Sequence, residues 1–267
     1  MRKHFEPENF VDEIGGLPFV DEGFQPRKLV TAVTCLRRNI DPGLYASLVD
    51  YLKPTNAFEL YRKHAKSQPE PYPSIPLASS ETLLVQSAIQ NVNSLLPQWN
   101  DHFLVPIEYR KTLTEHLSVT STLIPQHILL GERAFVDPIL LQETLVHEMS
   151  HVWCGFIAEI FDFQTKDCPN NYVLPSGTKS KNVRGVLLAA LFAAAVITFY
   201  AKLYARTTVA THQKRGQYFR SYLLSCLDMV DGSPYATQMG REINGRLRNF
   251  VTRNNSYQWT MDNNGNR

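Results

Sequence analysis

From Gly185 to Ala205 the chain runs GVLLAALFAAAVITFYAKLYA, with Lys202 as its single charge. A stretch of that length and apolarity has two solutions only. It crosses a bilayer, which takes about 20 apolar residues, or it is a helix hydrophobic on every side and buried in the middle of a fold. The run is rich in alanine and interrupted by Thr198 and Lys202, and the rest of the chain patterns as a globular protein, so the buried bundle helix is expected and no membrane span. Hydrophobic residues make up 43% of the 267, enough for a sizeable core.

The helix before it carries the chemistry. Asp137-Pro138 places a capping side chain ahead of a proline at the first helical position, and Leu141, Leu145, Met149, Val152, Phe156 and Ile160 then recur every three or four residues. A helix is expected from Pro138 to about Phe163. Inside its apolar face lies His147-Glu148-Met149-Ser150-His151, an HExxH motif. Residues four apart project from one side on successive turns, so His147 and His151 can reach one metal ion, with Glu148 beside them to act on a bound water or orient a ligand. Two half-buried histidines with an exposed glutamate would not explain why polar residues interrupt Leu145, Val146, Met149, Val152 and Trp153.

The third metal ligand is not visible at the usual spacings. Three and six residues after His151 stand Cys154 and Ile157 rather than glycine and histidine. Glu159 and Asp162 lie roughly 12 and 16 Å further along the same helix, and 185–202 contains no acid. His127, Asp167 and His212 are the remaining candidate donors.

Elsewhere, the residues from Gln25 to Lys66 read as two or three short helices, and Gln68 to Ser79 carries four prolines, an extended connection taken as a boundary. The organisation expected is a small helical part at 1–75, a metal-bearing domain at 76–252 and a flexible tail at 253–267. A helix capped by Ser79 or Ser80 follows, with Leu83, Leu84, Ala88, Ile89, Val92 and Leu96 as its apolar face. Leu117–Leu123 and His127–Gly131 are one or two β-prone runs, and two amphipathic helices cover about 209–230 and 235–252. The fold class is therefore mainly α, with minor β. Trp153 is expected in the core or as a wall of the substrate pocket. Arg37-Arg38 and Lys214-Arg215 read as solvated helix faces.

Composition narrows the partners. Lys and Arg number 27 against 25 acids, a net charge of +2 that points to neither nucleic acid nor an anionic membrane. Cys35, Cys154, Cys168 and Cys226 are dispersed, as in a reduced cytosolic protein rather than a secreted disulfide scaffold. The N-terminus, basic and then acidic with a proline, lacks the apolar run of a signal peptide, so a cytoplasmic location is expected.

The segment VTSTLIPQHILLGERAFVDPILLQETLVHEMSH, followed by YVLPSGTKSKNVRGVLLAALFA, resembles the HExxH-type 2-oxoglutarate-dependent peptide β-hydroxylases of ribosomal peptide natural-product pathways. The likeness spans roughly residues 80–250. It implies Fe(II) held by His147 and His151, 2-oxoglutarate chelating the metal, O2 as oxidant, and hydroxylation of a peptide, a carrier-bound or a free amino acid. It also implies a cation for the distal carboxylate, with Arg184 first and Lys181 second among the loop residues. The chain departs from the family at Ser176-Gly177, where the family has Trp-Arg, at Lys181-Asn182-Val183, where it has Arg-Pro-Leu, and at Leu188, where it often shows histidine. The alternative reading is a zinc peptidase with Glu148 as general base. A non-enzymatic metal or peptide-binding module ranks below both, because structural zinc takes four protein ligands.

Overall fold

A computed structural model describes residues 7–64, 72–121 and 123–254; the side chains of residues 7 and 8 are not described. The initial Met-Arg-Lys, part of the proline-rich connection and residues 255–267 of the expected tail lie outside the described residues. The architecture is mainly α with one small sheet. Helices α1 (Pro7–Glu13), α2 (Pro26–Ile40) and α3 (Pro54–His64) precede strand β1 (Ser74–Pro76) and helix α4 (Ser79–Leu95). Strands β2 (Glu108–Thr112), β3 (Ser118–Ser121) and β4 (Ile124–Leu130) come next, then helices α5 (Pro138–Ile160), α6 (Val183–Thr207), α7 (Ala210–Asp231) and α8 (Gln238–Arg253).

The apolar run is α6, and 83% of its most apolar window is buried inside the protein. It packs against α5 and α7, and alanines at 189, 190 and 193–195 let the neighbouring backbones come close. Lys202 is exposed near its C-terminal end. Burial on all sides is what an all-round apolar helix requires, and the central bundle helix is the structure it takes.

The sheet order is β1-β2-β4-β3, with β2 and β4 parallel and both outer pairs antiparallel. Two of the four strands were not expected. β2 reads EYRKT, charged at three of five positions, and β1 is a three-residue segment within the proline-rich connection. Neither carries an apolar alternation, so only pairing with a neighbour makes it a strand. β3 forms one edge of the sheet and lies against α5.

The caps of the two helices at the centre follow local chemistry. Asp137 accepts a 2.7 Å hydrogen bond from the Leu140 amide and starts α5, and Asn182 accepts from the Gly185 amide to start α6. α4 is capped at Ala78, not at Ser79 or Ser80, because the Glu81 carboxylate turns back to accept from the Ala78 amide. Leu83 and Leu84 face solvent at 65% and 46% exposure, so the buried stripe of α4 is Val85, Ala88 and Val92.

One hydrophobic core runs through the described residues and joins Phe10, Leu17 and Leu29 near the start to Trp153, Phe199 and Leu247. Arg37 belongs to that interior and not to a solvated face. Fully buried, it donates to both carboxylate oxygens of Glu159 (2.9 and 2.8 Å), to the Tyr51 carbonyl (3.0 Å) and to Gln126 Oε1 (2.6 Å). Trp153 is also wholly interior, its indole N–H donating to the His102 carbonyl, and it does not wall the cavity described next. The four cysteines are free thiols.

Candidate metal centre

α5 brings His147 and His151 to the rim of a cavity of about 670 Å³ that is bounded by β3, α5, α6 and α7. Their Nε2 atoms lie 2.9 Å apart. With metal–nitrogen bonds of about 2.1 Å, both can reach a common ion. Phe192 of α6 stacks on the His147 ring, with centroids 3.8 Å apart and planes 13° apart, and meets His151 edge-on. That stacking fixes the orientation of the first imidazole.

The apolar wall also fixes the protonation state. Desolvation, then the nearby Arg215 charge, lowers the His147 pKa to about 4. Desolvation, then His147, lowers that of His151 to about 3, with Lys181 acting in the same direction and Glu148 against it. Both imidazoles are therefore neutral near pH 7, the form that donates a lone pair to a metal.

Glu148 is 3% exposed. One carboxylate oxygen accepts a 2.5 Å hydrogen bond from the Ser118 hydroxyl of β3 and stands 3.9 Å from His147 Nε2. The other is buried without a partner, as is Nδ1 of His151. Buried polar atoms are rarely left so, and an unpartnered carboxylate oxygen beside two imidazoles is available to a water or ligand.

Among the described residues no group of three or more His, Cys, Asp or Glu is arranged to hold a metal. His127 hydrogen-bonds the Pro125 carbonyl and contacts Glu108, and His212 contacts Thr207 Oγ1. Neither these nor Asp167 lines the cavity. The α6 side facing the pair presents Gly185, Leu188, Ala189 and Phe192, spaced by three or four and without a donor atom. The residues present thus fit a metal through two imidazoles, with the other coordination positions left to exogenous ligands.

The two cations read from the loop separate here. Tyr172 and Lys181 exchange backbone hydrogen bonds of 2.9 and 3.1 Å, closing a short antiparallel ladder around a turn at Gly177, whose φ of 84° favours glycine. The ladder brings Lys181 to the cavity. Arg184 lies one residue into α6, its amide donating to Gln164 Oε1 at 2.8 Å, and its side chain is not part of the cavity lining. Of the two loop cations, Lys181 is the one that lines the cavity.

A residue taken for a solvated face does line the cavity. Arg215 of α7 grips Glu143 with Nε at 3.0 Å and NH2 at 2.6 Å, while the Tyr200 hydroxyl donates to the same carboxylate at 2.5 Å. Its guanidinium also lies 4.7 Å from the Phe219 ring centroid. The only sequence signal was the acid at position 143, one turn before His147 on the same face of α5.

A scan of the chain against protein-family models finds no match, nor does a search of curated proteins.

Proposed function

We propose that this cavity is the active site of a mononuclear Fe(II), 2-oxoglutarate-dependent hydroxylase acting on a peptide, a carrier-bound or a free amino acid in natural-product biosynthesis, as the sequence resemblance implies. The observation that carries the reading is a pair of neutral, converging imidazoles that no third His, Cys, Asp or Glu joins in a metal-holding group among the described residues. Catalytic zinc sites take three protein ligands. A 2-oxo acid chelates through two oxygens and completes a two-nitrogen site far better than water alone.

His147 and His151 would hold the metal. The chemistry supplied by iron, oxo acid and O2 is replacement of a substrate C–H by C–OH, with release of succinate and CO2. The protein orients the first imidazole with Phe192, places Glu148 through Ser118, and brings two cations, Lys181 and Arg215, to the cavity lining, where one can take a ligand carboxylate. β3 is a sheet edge lining the same cavity, which suits backbone pairing with an extended peptide. The four free cysteines suit the cytoplasm.

The second reading is a zinc peptidase, favoured by the unpartnered oxygen of Glu148. An anaerobic visible spectrum separates the two. Apo-protein loaded with Fe(II) is expected to develop a weak metal-to-ligand charge-transfer band on addition of 2-oxoglutarate, and His147→Ala and His151→Ala are expected to lose it. A protein that holds zinc, shows no band, and loses peptide hydrolysis by roughly 10² in Glu148→Gln would be the peptidase instead.

A further inference from the structure

Arg215 is built as a fixed cation. Glu143, 7% exposed at its side chain, occupies Nε and NH2, and Tyr200, itself buried, donates to the same carboxylate oxygen that Nε holds. Phe219 and Tyr218 lie against the guanidinium at 4.7 and 5.5 Å. A guanidinium seated this way cannot swing, and 43% of the side chain remains accessible. The residue lines the same cavity as the histidines.

Its position relative to the pair follows from helix geometry. Glu143 precedes His147 by one turn of α5, about 6 Å along the axis, so the cation it holds stands about one turn from the first imidazole. Lys181 lines the cavity from the loop before α6. Its ammonium has no hydrogen bond or ion pair among the described residues that would hold it in one place.

We propose that Arg215, not Arg184 or Lys181, is the carboxylate anchor of this cavity, gripping a carboxylate of the ligand bound at the histidine pair, with Glu143 and Tyr200 as its positioning residues. The carboxylate has two possible sources, the distal group of a small oxo diacid or a carboxylate of the organic substrate. The inference rests on the site reading above, but a cation fixed beside a metal pair would serve either source.

The test is calorimetric titration of the purified full chain, loaded with Mn(II) in place of iron, with 2-oxoglutarate, then with succinate, then with a short peptide bearing a free or an amidated C-terminus. Wild type is expected to bind at least one carboxylate probe, and Arg215→Gln to weaken that binding by roughly tenfold to a hundredfold, the usual worth of a charged hydrogen bond. Arg215→Lys should fall between, and Arg184→Gln should match wild type. Arg215→Gln strands the Glu143 charge, so the double variant Glu143→Gln/Arg215→Gln is titrated beside it, with folding checked by circular dichroism. The loss must persist there. Loss of 2-oxoglutarate binding assigns the anchor to the oxo diacid, and loss confined to the free-carboxylate peptide assigns it to the substrate. If wild type binds 2-oxoglutarate, and Arg215→Gln and the double variant bind it and every other carboxylate probe as well as wild type does, the anchor is overturned while the hydroxylase reading stands. If 2-oxoglutarate never binds but Arg215→Gln abolishes peptide-carboxylate binding, the anchor stands and the hydroxylase reading falls. Wild type binding none of the carboxylate probes overturns the anchor.

Discussion

Replacing Arg37 with methionine removes a cation that is fully buried and makes four hydrogen bonds. Methionine fills much of the volume, so the cost falls on the partners. Glu159, 11% exposed, keeps only its bond from the Tyr61 hydroxyl, and Gln126 Oε1 and the Tyr51 carbonyl lose their shared donor. Breaking a buried ion pair by removing one member costs about 3–5 kcal/mol, because the other charge is left uncompensated. At about 3 kcal/mol and about 2–4 °C per kcal/mol for a chain of this size, Arg37→Met should melt about 6–12 °C lower. The double variant Arg37→Met/Glu159→Leu strands no charge, and its remaining deficit is the about 1–3 kcal/mol of the orphaned Gln126 and Tyr51 oxygens. Urea unfolding of wild type, both single variants and the double variant closes the cycle. The double variant should be at least about 2 kcal/mol more stable than the sum of the singles implies. Arg37→Met within about 1 kcal/mol of wild type, or strict additivity, would refute the reasoning.

Two further predictions concern the site's surroundings. His102, 4% exposed, has its pKa lowered to about 4 by burial, and its Nε2 accepts from the Phe19 amide, so it is neutral in the fold. Unfolded, it protonates near 6.5, so between about 6.5 and 4 the unfolded chain binds more protons and stability rises with pH. Urea midpoints of the metal-free protein should therefore fall as pH drops through that window, and less steeply in His102→Asn; equal slopes would count against the assignment. Gly131 packs onto the His116 carbonyl, where an added Cβ would collide, and its amide donates to the Leu117 carbonyl at 2.8 Å. Gly131→Ala should cost about 1–3 kcal/mol in thermal melts and weaken carboxylate-probe binding, because β3 carries Ser118 against Glu148; an unchanged melting temperature would show that β3 gives way freely.

What was legible beforehand is what local rules govern. The extent of α5, its Asp137 cap, the HExxH pair on one face and the burial of α6 all follow from periodicity and capping within about 25 residues of chain. β2 stayed hidden because its five residues have no pattern of their own and are made a strand by β1 and β4. The charged residues were the hardest to place, since a single arginine code serves a solvated face and a buried clamp alike. Arg37 meets Glu159 across 122 residues and Arg215 meets Glu143 across 72. Such pairs leave no local trace, because they form only where charge pairing across the assembled fold outweighs the desolvation it costs, and neither depends on the neighbours in sequence. The sequence by itself determined that two imidazoles share a helix face inside a mostly helical protein. Only the tertiary structure decided which cations line their cavity, Lys181 and Arg215 rather than Arg184, and that the opposing wall at Leu188 and Phe192 offers no donor atom.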